Sequence, residues 1–157
     1  AAYAAIPADM HSVARRFGAE TLSQVDPADF FAHRRPGLAD DRAAHFFAEN
    51  ARVPQMRDAL ARRDAGEYLR LMNASGRSSE QLLRNIQVPG GDDRLARGLA
   101  CASALLDGVG AWRVHGGGFA GGVQALMPCT AFPAYRQAME ARFGPGSCRE
   151  LRITGAE

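Results

Sequence analysis

The chain has 157 residues, a formal net charge of +2 and 46% apolar residues, which suits one globular domain and is too weakly basic to argue for nucleic acid. No apolar run approaches the roughly 18 residues of a membrane helix, and the opening "AAYAAIPADM" lacks the basic start and long apolar run of a secretory signal. The three cysteines, Cys101, Cys129 and Cys148, form no CxxC pair, and His11, His33, His45 and His115 stand apart. The expectation is three reduced thiols in a cytoplasmic protein, on a helix, a loop and a strand, with no metal site, no nucleic acid and no membrane as partner.

In chain order, "AAYAAIPADMHSVARRFG" predicts a helix with Pro7 in its first turn, Met10, Val13, Ala14 and Phe17 on one face, and Gly18 at its end. Asp26 caps a second start, with Pro27 in the first turn, and "RRPG" at 34–37 makes a turn. A long helix is expected from Asp40 to Arg63, with Ala43, Phe46, Phe47, Asn50, Val53, Met56 and Leu60 near one face. Pro54 should kink it or divide it in two. After the turn "RRDAG", a helix begins at Tyr68, pauses at "NASG" and restarts at "SSEQLLRNI", where Ser78 and Gln81 have capping-box spacing.

"VPGG" ends that helix, and Asp92 or Asp93 caps the next, whose buried stripe is Leu95, Leu99, Ala102 and Leu106, with Gly108 at its end. After Gly110 the apolar period falls from about 3.6 to 2: Trp112 and Val114 face one way, Arg113 and His115 the other. "VQALM" alternates again. Pro133 starts a helix carrying Tyr135, Ala138, Met139 and Phe143 and closed by Gly144, and "RELRI" is expected as a last strand. The whole predicts an α+β fold, with helices layered on one face of a small, mostly antiparallel sheet.

The most unusual stretch is "RVHGGGFAGG", residues 113–122, which holds five glycines. A plain hairpin turn needs about two, so the run implies positive φ or a very close neighbour. "HGGG" beside a strand also matches the oxyanion loop of esterases, but no G-x-S-x-G nucleophile elbow exists here. A third reading is a nest of main-chain N–H groups for phosphate oxygens. It has no Walker lysine and no following Ser or Thr for Mg²⁺, so it would contact phosphate without transferring it.

These residues resemble a known family. "GAWRVHGGGFAGGVQALMP" is similar to the third motif of the GHMP small-molecule kinases in its galactokinase form, usually shaped like "GARMTGAGFGGCTVALV". Upstream, "HFFAENARVPQMRDALARRDAGEYLRLMNASGRSS" resembles the galactokinase stretch "SENERV…AL…GD…FG.LMNESH". "AAIPADMHSVARRFG" and "LSQVDPADF" resemble its middle segment, and "AYRQAMEARFGPGSCRELRITGAE" its closing helix and strand. The resemblance covers nearly the whole chain, with its blocks in family order.

It implies a GHMP kinase C-terminal domain: a ferredoxin-like antiparallel sheet with helices on one face, preceded by a helical segment. Residues 1–38 would be the remainder of the helical middle segment and 39–157 the α+β core. The N-terminal kinase domain, with its sugar-recognition, main phosphate-loop and catalytic residues, has no counterpart in these residues. The complete enzyme would phosphorylate the 1-hydroxyl of galactose with ATP and Mg²⁺, and this portion alone would be inactive.

The loop carried over is Gly116, Gly117, Gly118, Phe119, Ala120 and Gly121, packed against the nucleotide phosphates, with no catalytic residue and no metal ligand. His115 stands where the family usually has Thr, and Ala120 where Gly is common. Competing readings are a GHMP kinase for another sugar and a stand-alone non-catalytic α+β binding or regulatory module. Phe119 is expected as an apolar anchor, Trp112 as a sheet-face residue, and Asn73 and Ser75 as residues of a helix end.

Overall fold

The computed structural model describes residues 2–87, 90–119 and 121–151. It is α+β, helical over 63% of its length, with a two-stranded antiparallel sheet among the described residues. Helix α1 spans Ala2–Arg16, α2 Pro27–Ala32, α3 Leu38–Ala61, α4 Ala65–Ser78, α5 Arg94–Leu106 and α6 Phe132–Phe143. Strands β1, Ala111–Val114, and β2, Val123–Leu126, pair with Trp112 opposite Ala125 and Val114 opposite Val123.

The first core is helical. Val13 and Ala14 of α1 pack with Leu22, Val25, Phe30, Ala43, Ala44 and Phe47, while Met10 and Phe17 close its edge. Phe30 is its centre, fully buried, with ring centroids 4.9 Å from Phe47 and 6.2 Å from Phe17. Asp26 caps α2 as expected, accepting from the Ala28 amide at 2.8 Å. Around this core run two ion pairs with little water access. Arg16 grips Asp40 at 2.6 and 2.8 Å, and Arg42 reaches Asp9 at 2.5 Å. The Arg35 amide also donates to Asp40, at 2.8 Å. The hydrogen-bonded Arg16 guanidinium holds the Asp40 carboxyl below its usual range. Residues on both sides of position 38 share this core.

Neither proline interrupts its helix. Pro7 lies inside α1 rather than in its first turn, and α3 runs unbroken through Pro54 instead of dividing. Pro7 and Pro54 are exposed, as are Tyr3 and Asn50, whose carbonyls lose a donor. Those carbonyls can turn to water, and the tertiary packing of α1 on α3 keeps both helices intact. From Val53 onward the expected apolar face of α3 is not a core face. Val53 and Leu60 are 67% and 60% exposed, and Ala59 is buried instead.

Helix α4 contradicts the expected pause at "NASG". It continues to Ser78 and widens into a π turn over Ser79–Leu83. The reason is long-range. A Cβ on Gly76 would lie 2.8 Å from the Trp112 carbonyl oxygen and 3.3 Å from the Arg113 Cβ, so this glycine lets α4 approach β1. Asn73, one turn earlier, accepts from the Trp112 amide at 3.0 Å and donates to the Gly110 carbonyl at 3.2 Å. Its amide thus supplies the hydrogen bonds that a third strand would make along the outer edge of β1. Ser78 forms no capping box; its Oγ pairs with His45 Nδ1 at 2.8 Å.

The second core lies on the Trp112 and Val114 face of the sheet. Leu95, Ala102 and Leu106 of α5 pack there as the stripe predicted, joined by Ile86, Val123, Ala125 and Tyr135. Asp93 is the N-cap of α5 but its side chain makes no capping hydrogen bond; Asp92, one residue earlier, accepts from the Arg94 amide at 2.7 Å. Gly144 closes α6 with φ +96°. Of the expected last strand "RELRI", residues 149–151 are irregular and Ile153 lies outside the described residues. Cys148 therefore sits in an irregular segment rather than on a strand, Cys101 lies on α5 and Cys129 in a loop, and all three are free thiols.

Gly76→Ala is expected to lower the free energy of unfolding by about 1–3 kcal/mol, since a packed interface must open for one methyl. Asn73→Ala should cost about 1–3 kcal/mol by leaving the edge groups of β1 unpaired. Urea unfolding of both variants checks this. A Gly76→Ala protein as stable as its parent would show slack between α4 and β1.

Candidate functional site

Strand β1 is held on both sides before it reaches the glycines. A Cβ on Gly110 would lie 2.5 Å from the Leu126 carbonyl oxygen, so β1 enters tight against β2. At the far end the His115 amide donates to the Gly122 carbonyl at 2.8 Å, the last bond of the ladder. Residues 116–119 and 121 therefore loop out from a fixed base.

Both reasons for the glycines are met there. Gly116, Gly118 and Phe119 have φ of +72°, +81° and +61°, a region that side-chain-bearing residues rarely occupy. Gly117 faces the Tyr3 ring and Gly118 faces Asn85 so closely that an added Cβ would collide with either. Asn85 fastens the turn: the Phe119 amide donates to its carbonyl at 2.6 Å, and its Nδ2 donates to the Gly117 carbonyl at 3.2 Å. Asn85 is itself set by Arg84, in the left-handed region at φ +54° after the π turn.

Phe119 is half-buried and anchors the loop through its main-chain amide. Its ring joins none of the apolar clusters among the described residues. His115, Gly116, Gly117 and Gly121 are exposed, and Ala120 lies outside the described residues. The described site residues, His115 to Phe119 and Gly121, thus lie in one loop after β1. Asn85, buried with its Oδ1 lacking a hydrogen-bond partner among the described residues, was missed. It sits in a segment read simply as helix, with no local signal of its contact 32 residues away.

Chemically the loop offers N–H groups. Among the described residues the amides of Gly116, Gly117 and Gly118 have no hydrogen-bond acceptor, and Gly116 and Gly117 are open to solvent. Such donors fit phosphate oxygens. They do not fit a metal: the loop carries no carboxylate, and no three His, Cys, Asp or Glu side chains gather as ligands among the described residues. Two cavities, of about 530 and 370 Å³, lie elsewhere, one between α5 and α6 beside Cys101, the other beside Phe31 and Phe46. No family model matches the chain. No helix among the described residues is long and apolar enough to cross a membrane.

A buried polar cluster lies where α3 packs on α4. His45 is 8% exposed, and burial, with the Arg52 and Arg113 charges nearby, pushes its pKa down to about 4. Arg52 forms an ion pair with Glu49, whose other oxygen accepts from Ser75 Oγ at 2.6 Å.

His45 fixes a pH dependence. In the unfolded chain the imidazole titrates near 6.5, while folded it stays neutral down to about 4. Between those values the unfolded state binds more protons, so stability is full above pH 6.5 and falls as pH drops towards 4, by up to roughly 3 kcal/mol. Urea midpoints at pH 7.5 and 4.5 should separate for the parent and converge for His45→Gln. An equal acid loss in both proteins would contradict this.

Proposed function

We propose that the chain is the C-terminal domain of a galactokinase-type GHMP kinase, whose complete form transfers the γ-phosphoryl of ATP to the 1-hydroxyl of galactose with Mg²⁺. The observation that carries the reading is the left-handed glycine loop whose Gly116, Gly117 and Gly118 amides have no acceptor among the described residues, at the place where the family resemblance expects a phosphate contact. Its support is the order of the resembling blocks along the sequence and the match between amide donors and phosphate oxygens.

In this reading Gly116, Gly117 and Gly118 hold phosphate oxygens through main-chain N–H groups, while Asn85 and Tyr3 keep the turn closed from behind. Bound Mg²⁺ would neutralise phosphate charge during transfer, and its ligands are assigned to the N-terminal domain, because the loop carries no oxygen side chain to hold it. The general base and the sugar pocket are assigned there too. Catalysis would then rest on positioning across the domain boundary. The cytoplasm is the proposed location, since free thiols persist in a reducing compartment.

A non-catalytic binding or regulatory module is the second reading. It is favoured by the donor set itself, which binds an anion without moving a proton. Galactose-dependent ADP release, measured on the full-length gene product and on these 157 residues, separates the two. Turnover is expected in the first alone, with kcat/KM at least tenfold lower in full-length Gly118→Val, whose side chain would collide with Asn85. Absence of turnover on galactose by the full-length product would contradict the kinase reading.

A further inference from the structure

Helices α5 and α6 meet through Ala102, Leu106 and Tyr135, which pack with Trp112 and Val123 of the sheet. Beside that contact the two helices part and leave a cavity of about 530 Å³. Ala100, Cys101, Ala104 and Leu105 line it from α5, and Ala138, Ala141 and Arg142 from α6. The volume lies within the range of small-molecule sites, which are mostly apolar with a few polar groups. Six of these seven lining residues are apolar, since a buried thiol such as Cys101 packs as a small hydrophobe. Leu105 is 38% exposed, so apolar area remains to be covered.

Arg142 is the one charged group in the lining. It is exposed and has neither an ion pair nor a side-chain hydrogen bond among the described residues. No carboxylate on either helix answers it. α5 holds no acidic residue, and the single one of α6, Glu140, accepts from Arg136 at 3.0 Å and from the Gly146 amide at 3.3 Å. The cavity is therefore complementary to an anionic head on an aliphatic body. Its length decides what kind of body. Ala100 to Leu105 covers roughly 8 Å of helix at about 1.5 Å per residue. One turn before Cys101 the apolar strip ends at Arg97, which is paired with Asp93 at 2.9 Å. A partner helix of ordinary length, about three turns, would overrun that ion pair, whereas one hydrocarbon tail fits between the helices.

We propose that the groove between α5 and α6 binds a single-tailed aliphatic carboxylate. The tail lies on the four alanines, Cys101 and Leu105, and the carboxylate pairs with the planar Arg142 guanidinium fork, which suits two oxygens. Apolar burial supplies the attraction, and Arg142 sets the orientation. The site shares no residue with the glycine loop, and it stands whether or not the kinase reading holds.

Amide chemical shifts of the isotope-labelled 157-residue chain, followed during titration with octanoate at pH 7.5, test it. Saturable shifts are expected at Ala100, Cys101, Ala104, Leu105, Ala138 and Ala141, with the glycine loop still. Binding should be at least tenfold weaker in Arg142→Gln, where a charged hydrogen-bonded pair is lost, and equally so for 1-octanol on the parent chain. Ala104→Trp, which fills the groove from an exposed position, should abolish it. Arg57→Gln should leave it unchanged: Arg57 is exposed and paired with Asp58 outside the groove, so its variant reports net charge alone. Absence of saturable shifts overturns the proposal, as do shifts centred outside the groove or binding kept in Ala104→Trp. Equal binding of octanol and octanoate, or equal weakening in Arg142→Gln and Arg57→Gln, overturns it as well.

Discussion

The close approach of α4 to β1 is the constraint on which the rest of this molecule depends. It requires a residue without a side chain at Gly76, because any Cβ there would press on the Trp112 carbonyl. It also requires an amide at Asn73, because among the described residues β1 has a strand on one side alone and its outer N–H and C=O groups need partners. With these two residues in place, a two-stranded ribbon, normally marginal in water, is fixed between a helix along its edge and α5 across its face. The glycine loop then departs from a rigid base.

The loop is therefore braced rather than slack. Its glycines do not serve flexibility; they answer collisions with Tyr3 and Asn85 and a backbone that stays in the left-handed region for Gly116, Gly118 and Phe119. Among the described residues the amides of Gly116, Gly117 and Gly118 have no acceptor, and in the proposed function these are the donors that meet phosphate.

What could be read from the sequence was what local chemistry determines. Asp26 beside Pro27, the α5 stripe and the glycine ending α6 each act within one or two turns, and each appears as expected. The glycine loop was legible because five glycines between two alternating segments have few other uses. What failed to be legible depends on residues distant in the chain. Gly76 looks like a helix breaker until β1 is placed against it, and Ser78 looks like a cap until His45 is brought to it. Pro54 looks like a break until its solvent-side position is known. Asn85 gave no signal, since its partners are main-chain atoms 32 residues on.

The central claim is that the outer amides of the glycine loop receive phosphate. Amide chemical shifts of the isotope-labelled chain, followed during titration with ATP, test it most directly. The account predicts saturable shifts of the Gly116, Gly117 and Gly118 amides, with α1 and α2 unmoved. Still loop amides at millimolar ATP, or shifts confined to residues outside the loop, would contradict it.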